Sequence, residues 1–205
     1  MHDPTDIPLI AILRGVDPDT VLHHVEALLE AGFTAIEIPT NSPRWQQSVS
    51  SIISAFPGRG LFGAGTVLTV DQVDELASLG GKMVVTPNIN PAVIRRSREH
   101  GMKIFAGCAT ATEAFIALEN GAQALKLFPA SCFGPAYVSA LKAVLPAQIP
   151  LLAVGGVTPE NLHDWLKAGC AGAGLGSDLY RAGQSVADTR ARAQAFISAW
   201  QRYHR

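Results

Sequence analysis

Short apolar runs and amphipathic segments alternate along almost the whole chain. Eight of the runs have the length of a strand, and polar residues do not alternate with apolar ones within them. A parallel strand that is covered on both faces has this composition, whereas a strand with one solvated face alternates. The predicted strands are Leu9–Arg14, Ala35–Thr40, Leu61–Val67, Met83–Pro87, Lys103–Cys108, Ala124–Phe128, Leu151–Gly155 and Gly172–Gly176.

Helical segments are predicted between the strands, and capping residues mark their ends. Asp17 is a suitable N-cap for a first helix that has Pro18 at its first position. Glycine stands at or next to the end of each predicted helix, where it adopts the left-handed conformation without steric cost. The segments are Pro18–Ala31, Val70–Leu79, Pro91–His100, Thr112–Asn120 and Pro159–Ala168.

Eight strand–helix units fit a (β/α)8 barrel or an open doubly wound sheet. The 205 residues, of which 48% are hydrophobic, suffice for one sizeable core, although two very small domains would also fit this length. No Gly-x-Gly-x-x-Gly motif follows the first strand, and polar or glycine residues end nearly every strand. Only in a closed barrel would these ends converge on one face. We therefore predict one (β/α)8 TIM-barrel domain over residues 1–205.

Charge and hydropathy exclude two classes of partner. The formal net charge is −1, and the basic residues are scattered, so nucleic acid is not an expected partner. The densest basic group, Arg95, Arg96 and Arg98, is interpreted as a solvated helix face. No apolar run is long enough to span a bilayer, and Met1-His2-Asp3-Pro4 is polar and lacks the charged-then-apolar pattern of a signal peptide. We expect a cytoplasmic protein without a membrane partner.

The cysteine and histidine spacings do not predict a metal site. Cys108, Cys132 and Cys170 form no Cys-x-x-Cys pair, and their odd number argues against a disulfide framework. We predict that all three are buried free thiols. The six histidines lie at the termini or on predicted helices without ligand spacing. We expect neither a bound metal nor another cofactor.

Lys126 is the most informative residue, because it interrupts an apolar strand, Ala-Leu-Lys-Leu-Phe-Pro. Removal from water lowers the pKa of an amine, and the neutral amine adds to a ketone to form a carbinolamine and then an iminium. The iminium accepts electrons from a breaking carbon–carbon bond. A lysine that extends from an edge strand to solvent is the structural alternative, which this apolar context disfavours.

Glu37 is the lone charge of a second apolar strand, Ala-Ile-Glu-Ile-Pro-Thr. Glutamate and lysine are rarely buried without a partner. A carboxylate beside an amine inside one barrel can transfer protons while the amine acts as a nucleophile. The alternative is a structural ion pair of Glu37 with Lys126 or Arg14, which is a costly way to stabilise a core.

Arg14 and Thr66 are predicted at the ends of the first and third strands. An arginine at a strand end can hold a carboxylate or phosphate through two hydrogen bonds, and a salt bridge to a neighbouring loop is an equal alternative. The glycines before Thr66 in Gly-Ala-Gly-Thr permit close backbone approach, so its hydroxyl could bind a ligand carboxylate. Capping of a turn is the alternative role for this threonine.

Two glycine-rich segments follow the last two strands. Val-Gly155-Gly156-Val and Gly-Leu-Gly176-Ser177-Asp each precede a helical segment. Backbone N–H groups at such positions bind phosphate without a cation, and loops after the seventh and eighth strands form the usual phosphate site of barrels. The pair predicts a phosphate site, although tight turns alone could also require these glycines.

Six motifs resemble, in order, those of the KHG/KDPG aldolase family. The resemblance extends from about Leu9 to the end of the chain, and the combination of motifs is specific although each tetrapeptide alone is not. The motifs are Glu37-Ile-Pro-Thr-Asn-Ser-Pro, Gly63-Ala-Gly-Thr66-Val, Val85-Thr-Pro-Asn88, Gly107-Cys-Ala-Thr110, Leu125-Lys-Leu-Phe-Pro129 and Val154-Gly-Gly-Val157.

The resemblance implies a trimeric class I lyase of the (β/α)8 fold. It would cleave a phosphorylated 2-keto-3-deoxy sugar acid to pyruvate and glyceraldehyde 3-phosphate. Lys126 would form the Schiff base and Glu37 would be the general acid and base. The resemblance assigns substrate contacts to Arg14, Thr66, Pro87, Phe128, Gly155, Gly156, Gly176 and Ser177, with the last four at the phosphate.

Two positions depart from the phosphogluconate-type pattern of the family. Asn41 stands where that type has an arginine, and Val154 stands where it has a threonine. The departures favour the galactonate-type substrate over the gluconate type or 4-hydroxy-2-oxoglutarate. Two other functions are considered: an isomerase, which would need paired strand-end carboxylates or a Cys/Asp couple, and a barrel that binds a phospho sugar acid without catalysis.

Overall fold

Eight parallel strands form a closed barrel in the computed structural model, which describes residues 9–204. Each strand pairs with its neighbours in chain order, and β1 closes the barrel against β8. The predicted (β/α)8 barrel is confirmed and the open sheet is excluded. Met1-His2-Asp3-Pro4 lies outside the described residues. The strands are β1 Leu9–Ile12, β2 Ala35–Pro39, β3 Leu61–Gly65, β4 Met83–Val85, β5 Lys103–Cys108, β6 Ala124–Leu127, β7 Leu151–Val154 and β8 Gly172–Leu175.

Helices connect successive strands and cover the outside of the barrel. A short 3-10 helix, Ala130–Cys132, precedes the sixth α-helix. The α-helices are α1 Val21–Ala31, α2 Trp45–Ala55, α3 Val70–Ser78, α4 Pro91–Glu99, α5 Ala111–Glu119, α6 Gly134–Lys142, α7 Leu162–Lys167 and α8 Val186–Tyr203.

The predicted starts of α1 and α7 are wrong by three residues, because each predicted cap closes a turn instead. The carboxylate of Asp17 accepts a hydrogen bond from the N–H of Asp19 at 2.9 Å, and α1 begins only at Val21. Likewise, the Thr158 N–H donates to the side chain of Asn161 at 2.9 Å, and α7 begins at Leu162. The polar turn residues satisfy the backbone locally and delay each helix.

Seven of the eight strands end one or two residues before their predicted ends, while β5 matches. Single backbone hydrogen bonds continue past some of these ends: the N–H of Thr40 donates to the Gly65 carbonyl at 2.8 Å, and the N–H of Phe128 donates to the Cys108 carbonyl at 3.1 Å. The residues predicted as strand ends are thus the first residues of the loops on one face. They are Arg14, Thr40, Val67, Pro87, Phe128, Gly155 and Gly176.

The hydrophobic core has two layers, one inside the barrel and one between the barrel and the helices. Ala35 of β2 and Ala124 of β6 belong to the inner layer. Side chains two residues apart on a strand point to the same face. Glu37 and Lys126 therefore also point into the barrel, one step nearer to the carboxyl ends of the strands.

Two predictions about polar residues have different outcomes. The basic group on α4 is a solvated face, in which Arg96 pairs with Asp74 at 2.6 Å. Cys108 and Cys170 are buried free thiols, but Cys132 is exposed, because it lies in the 3-10 helix rather than under the barrel wall. Within residues 9–204 no helix is long and apolar enough to cross a bilayer, and no three potential ligands group as a metal site.

Candidate active site

A cavity of about 740 Å³ opens at the carboxyl ends of the strands, the face on which barrel enzymes build active sites. It contains nine of the ten residues predicted for the site. Glu37 is the exception, because it is only 1% exposed and lies below the cavity lining. The nine are Arg14, Thr66, Pro87, Lys126, Phe128, Gly155, Gly156, Gly176 and Ser177.

A second cavity, of about 780 Å³, lies at the opposite end of the barrel. Lys103 at the start of β5, Pro150 before β7 and Ala171 before β8 line it. None of the predicted site residues lines this second cavity. The cavity at the carboxyl ends, although slightly smaller, is therefore the candidate active site.

Lys126 brings a buried amine to the candidate site. The side chain is 6% exposed, and its Nζ lies 4.8 Å from the centre of the Phe128 ring. Burial lowers the pKa of Lys126, and the positive charge of Arg14 lowers it further, whereas Glu37 opposes the shift. A larger fraction of this amine is consequently neutral, and thus nucleophilic, than for a lysine in water.

Glu37 is a buried carboxyl group with a pKa suited to proton transfer near neutral pH. Burial raises its pKa to about 7, although the charges of Lys126 and Arg14 act in the opposite direction. Its Oε2 atom has no hydrogen-bond partner among the described residues. No ion pair in residues 9–204 includes Glu37. The structural ion pair considered for this residue is thus not formed.

Arg14 is held at the mouth of the cavity by two uncharged partners. Its Nη1 donates to Asn41 at 2.7 Å, and its Nη2 donates to the hydroxyl of Thr66 at 3.4 Å. Arg14 forms no salt bridge within residues 9–204, so that alternative is wrong and its charge is available to an anion. The sequence singled out Asn41 only as a departure from the family pattern and did not predict its contact with Arg14.

Thr66 has a strained backbone at the edge of the cavity. Its φ of 55° lies in the left-handed region, which a β-branched residue rarely adopts. The hydroxyl of Thr40 donates to the Thr66 carbonyl at 2.7 Å and helps to hold this conformation. Strained residues that the surroundings hold in place concentrate at functional sites. In this conformation the Thr66 hydroxyl accepts the hydrogen bond from Nη2 of Arg14.

The two glycine-rich segments meet in the cavity lining, because they follow the neighbouring strands β7 and β8. Gly155 and Gly156 have φ values of 101° and 74°, which explains the need for glycine at both positions. Gly176 and Ser177 line the same cavity, as does Asp178, a second carboxylate that follows β8. Arg181, which was not predicted, also lines the cavity. Five charged side chains thus line the cavity or lie below it: Arg14, Glu37, Lys126, Asp178 and Arg181.

The arrangement can perform nucleophilic addition to a ketone with proton transfer. A buried amine supplies the nucleophile, a carboxyl group with a pKa of about 7 supplies the acid and base, and Arg14 supplies a fixed positive charge. The glycine-rich loops after β7 and β8 suit a phosphate. These are the requirements of Schiff-base chemistry on an anionic keto compound.

Residues 3–194 match the model of the KDPG and KHG aldolase family. The chain belongs to this family. It is 62% identical over 200 residues to 2-dehydro-3-deoxy-6-phosphogalactonate aldolase of Escherichia coli K12, covering 98% of each chain. It superposes on the solved structure described as native KDPGal with a TM-score of 0.97 and 60% identity, covering 100% of this chain and 99% of the other. The 2-dehydro-3-deoxy-phosphogluconate aldolase of Treponema pallidum is 32% identical over 78% of this chain and 74% of its own.

Gly65 is the residue of this aldolase that most directly shapes the position of Glu37. A Cβ atom at residue 65 would lie 1.2 Å from Oε2 of Glu37, and its three nearest atoms all belong to that carboxyl group. Gly65 lies in Gly63-Ala-Gly-Thr66-Val, one of the motifs that resemble the family. Its contact with Glu37 depends on the pairing of Glu37 with Gly63 across β2 and β3. The sequence alone does not reveal that contact.

Gly65→Ala is expected to displace the Glu37 carboxyl group. The overpacked variant should lose about 1–3 kcal/mol of unfolding free energy, and its kcat/KM should decrease at least tenfold. Chemical denaturation and steady-state kinetics measure the two effects. The matched control adds Gly65→Ala to Glu37→Ala, where the methyl group has space, so stability should not decrease further. An equal loss of stability in both backgrounds would refute the contact.

Proposed function

We propose that the chain is a class I aldolase that cleaves 2-dehydro-3-deoxy-6-phospho-D-galactonate to pyruvate and D-glyceraldehyde 3-phosphate. The observation that most supports this function is the buried Lys126 amine, whose pKa is lowered and which faces the cavity near Glu37. A nucleophilic amine is what distinguishes a class I aldolase from a metal-dependent one. A non-catalytic sugar-acid barrel would have no need of this costly burial.

The reaction begins with addition of the neutral Lys126 amine to C2 of the keto acid. The resulting carbinolamine loses water to form an iminium, and Glu37 in its protonated form donates the proton that the leaving hydroxyl requires. A pKa of about 7 lets Glu37 populate both protonation states at neutral pH. The Phe128 ring beside Nζ helps to exclude water from the nitrogen.

Glu37 next acts as a base. It accepts the proton of the C4 hydroxyl while the C3–C4 bond breaks, and the electron pair of that bond passes to the iminium to give an enamine. Glyceraldehyde 3-phosphate leaves, and Glu37 returns its proton to C3. Hydrolysis of the iminium then releases pyruvate and restores Lys126.

Two parts of the cavity lining suit the substrate's two anionic ends. Arg14 and the Thr66 hydroxyl, which are joined by a hydrogen bond, suit the carboxylate beside the reacting ketone. The backbone at Gly155, Gly156 and Ser177 suits the 6-phosphate. Pro87 lines the cavity near the lysine and contributes an apolar wall.

Preference for the galactonate over the gluconate substrate is supported by three features. The identity to the galactonate-type relative is about twice that to the gluconate-type relative, and Val154 presents methyl groups to the cavity where the gluconate type is expected to have a hydroxyl. Asn41 stands where the gluconate type is expected to have an arginine, and here its side chain accepts a hydrogen bond from Arg14. We also expect a homotrimer that acts in the cytoplasm.

Turnover of the two C4 epimers tests this function. Pyruvate release, coupled to lactate dehydrogenase, should give a kcat/KM for the galactonate substrate at least about tenfold above that for the gluconate substrate, equivalent to about 1.4 kcal/mol. Val154→Thr should decrease the ratio of kcat/KM for the galactonate substrate to that for the gluconate substrate. The parent protein with lactate dehydrogenase but no substrate gives the background rate. Equal turnover of the epimers would remove the assigned specificity, and binding without pyruvate release would contradict an aldolase.

A further inference from the structure

Arg181 adds an unassigned cation to the phosphate side of the cavity. It lies between β8 and α8 and lines the cavity with Gly156 and Ser177. Its Nε donates to the backbone carbonyl of Ser177 at 2.9 Å. The bond ties the guanidinium group to the same glycine-rich segment whose backbone is suited to phosphate.

The backbone that presents Arg181 is fixed on both sides. Before it, the carbonyl of Gly176 accepts hydrogen bonds from the N–H groups of residues 179 and 180, each at 2.9 Å. The neighbouring Tyr180 is buried at 3% exposure and packs edge to face on His24, with 5.0 Å between ring centres. After it, the Gln184 amide donates to Thr189 on α8 at 3.0 Å. Binding would therefore require little ordering of the backbone.

The remaining donors of Arg181 are available to an anion. A guanidinium group has five N–H donors, and the bond to Ser177 uses only the one on Nε. No ion pair within residues 9–204 includes Arg181. The nearby Asp178 brings a negative charge to the same cavity lining, which would repel a phosphate unless a cation offsets it. Arg181 is the cation in this segment of the lining.

We propose that Arg181 binds the 6-phosphate and determines the preference of this enzyme for phosphorylated over unphosphorylated sugar acids. The inference rests on the proposed aldolase function for its substrate, but the phosphate contact itself does not depend on catalysis. Arg181 takes part in no proton transfer. Its contribution should consequently appear mainly in KM and in discrimination between the two substrates.

Kinetics of Arg181→Gln on both substrates test the proposal. The kcat/KM for the 6-phospho substrate should decrease about 10- to 100-fold, as expected for loss of a charged hydrogen bond, and mainly through KM. The kcat/KM for 2-dehydro-3-deoxygalactonate, which has no phosphate, should stay within twofold. Arg181→Lys should restore part of the loss. Arg202→Gln removes the same charge from the last turn of α8, outside the cavity, and should change neither value.

Two kinetic results would overturn the proposal. One is an equal decrease for both substrates, which would indicate a structural role, and the other is less than a twofold change for the 6-phospho substrate. Titration with inorganic phosphate separates this inference from the proposed function. Failure of the parent protein to release pyruvate would contradict the aldolase assignment alone. Arg181→Gln should weaken phosphate binding at least fivefold in any case, and unchanged phosphate binding would overturn the role of Arg181.

Discussion

Replacing Lys126 with methionine is expected to decrease kcat/KM by at least about 10⁴-fold, because the variant cannot form the iminium that accepts the electrons of the breaking bond. Methionine has a similar length and no charge to desolvate. Burial destabilises the charged form of Lys126, as its lowered pKa indicates. The melting temperature of Lys126→Met should accordingly equal or exceed that of the parent protein.

Lys126→Arg is the matched control, since it retains a positive charge but supplies no nucleophile. Its activity should be as low as that of Lys126→Met. Pyruvate release with each variant and thermal melts of the same preparations provide the two measurements. Residual turnover within about a hundredfold of the parent protein in either variant would contradict covalent catalysis by Lys126. Loss of activity that accompanied unfolding would point to a structural lysine instead.

The second large effect is expected for Glu37→Gln, with a decrease in kcat of about 10²- to 10⁴-fold, the usual contribution of a general acid or base. Glutamine retains the shape of the side chain but cannot accept the C4 hydroxyl proton. For the parent protein, kcat/KM should increase with pH up to about 7 as Glu37 ionises. A variant that lost activity but retained this acidic limb would show that another group is the base.

Glu37→Gln should also stabilise the protein above neutral pH. The pKa of Glu37 is about 7 in the folded protein against an ordinary value of 4.5, so between these values the folded state binds more protons than the unfolded state. The free energy of unfolding of the parent therefore decreases as the pH rises through this window. Relative to the parent, the variant should gain up to about 3 kcal/mol between pH 4 and pH 8.

Urea denaturation of both proteins at pH 4, 6 and 8 measures this difference. Glu113→Gln is not a suitable control, because its carboxylate caps α5. Glu26→Gln, on α1 outside the cavity, is suitable, and it should show no comparable gain. An unchanged pH dependence in Glu37→Gln would show that Glu37 is not the buried, weakly acidic group that the mechanism requires.

The barrel could be predicted from the sequence because its strands are buried on both faces and are nearly continuous apolar runs. Their predicted starts were accurate. Seven of the predicted ends extended one or two residues into loops, because residues such as Leu13, Val67 and Phe128 continue the apolar composition of the strand. The turns before the helices were harder to predict from the sequence. Asp17 has the same preference for a helix cap and for a turn, and only the folded chain distinguishes them.

The burial of Lys126 and Glu37, the proposed catalytic pair, was predictable for a related reason. Lys126 and Glu37 each interrupt an apolar strand, and the period of two along a strand places both inside the barrel once the inner layer is known. The contacts that position the side chains of Arg14 and Glu37 were not predictable. Asn41 reaches Arg14, and Gly65 makes space for Glu37, only because the barrel brings distant segments together. Arg181 was missed because a single arginine in a polar loop has no distinctive pattern.

The most direct test of Schiff-base catalysis is reduction with sodium borohydride in the presence of pyruvate, followed by peptide mapping. The mechanism predicts one pyruvyl adduct, on the peptide that contains Lys126, together with irreversible loss of activity. Lys126→Met and the parent protein reduced without pyruvate should contain no adduct. Absence of an adduct from the parent protein, or an adduct on another lysine such as Lys103 or Lys142, would contradict the assignment of Lys126 as the nucleophile.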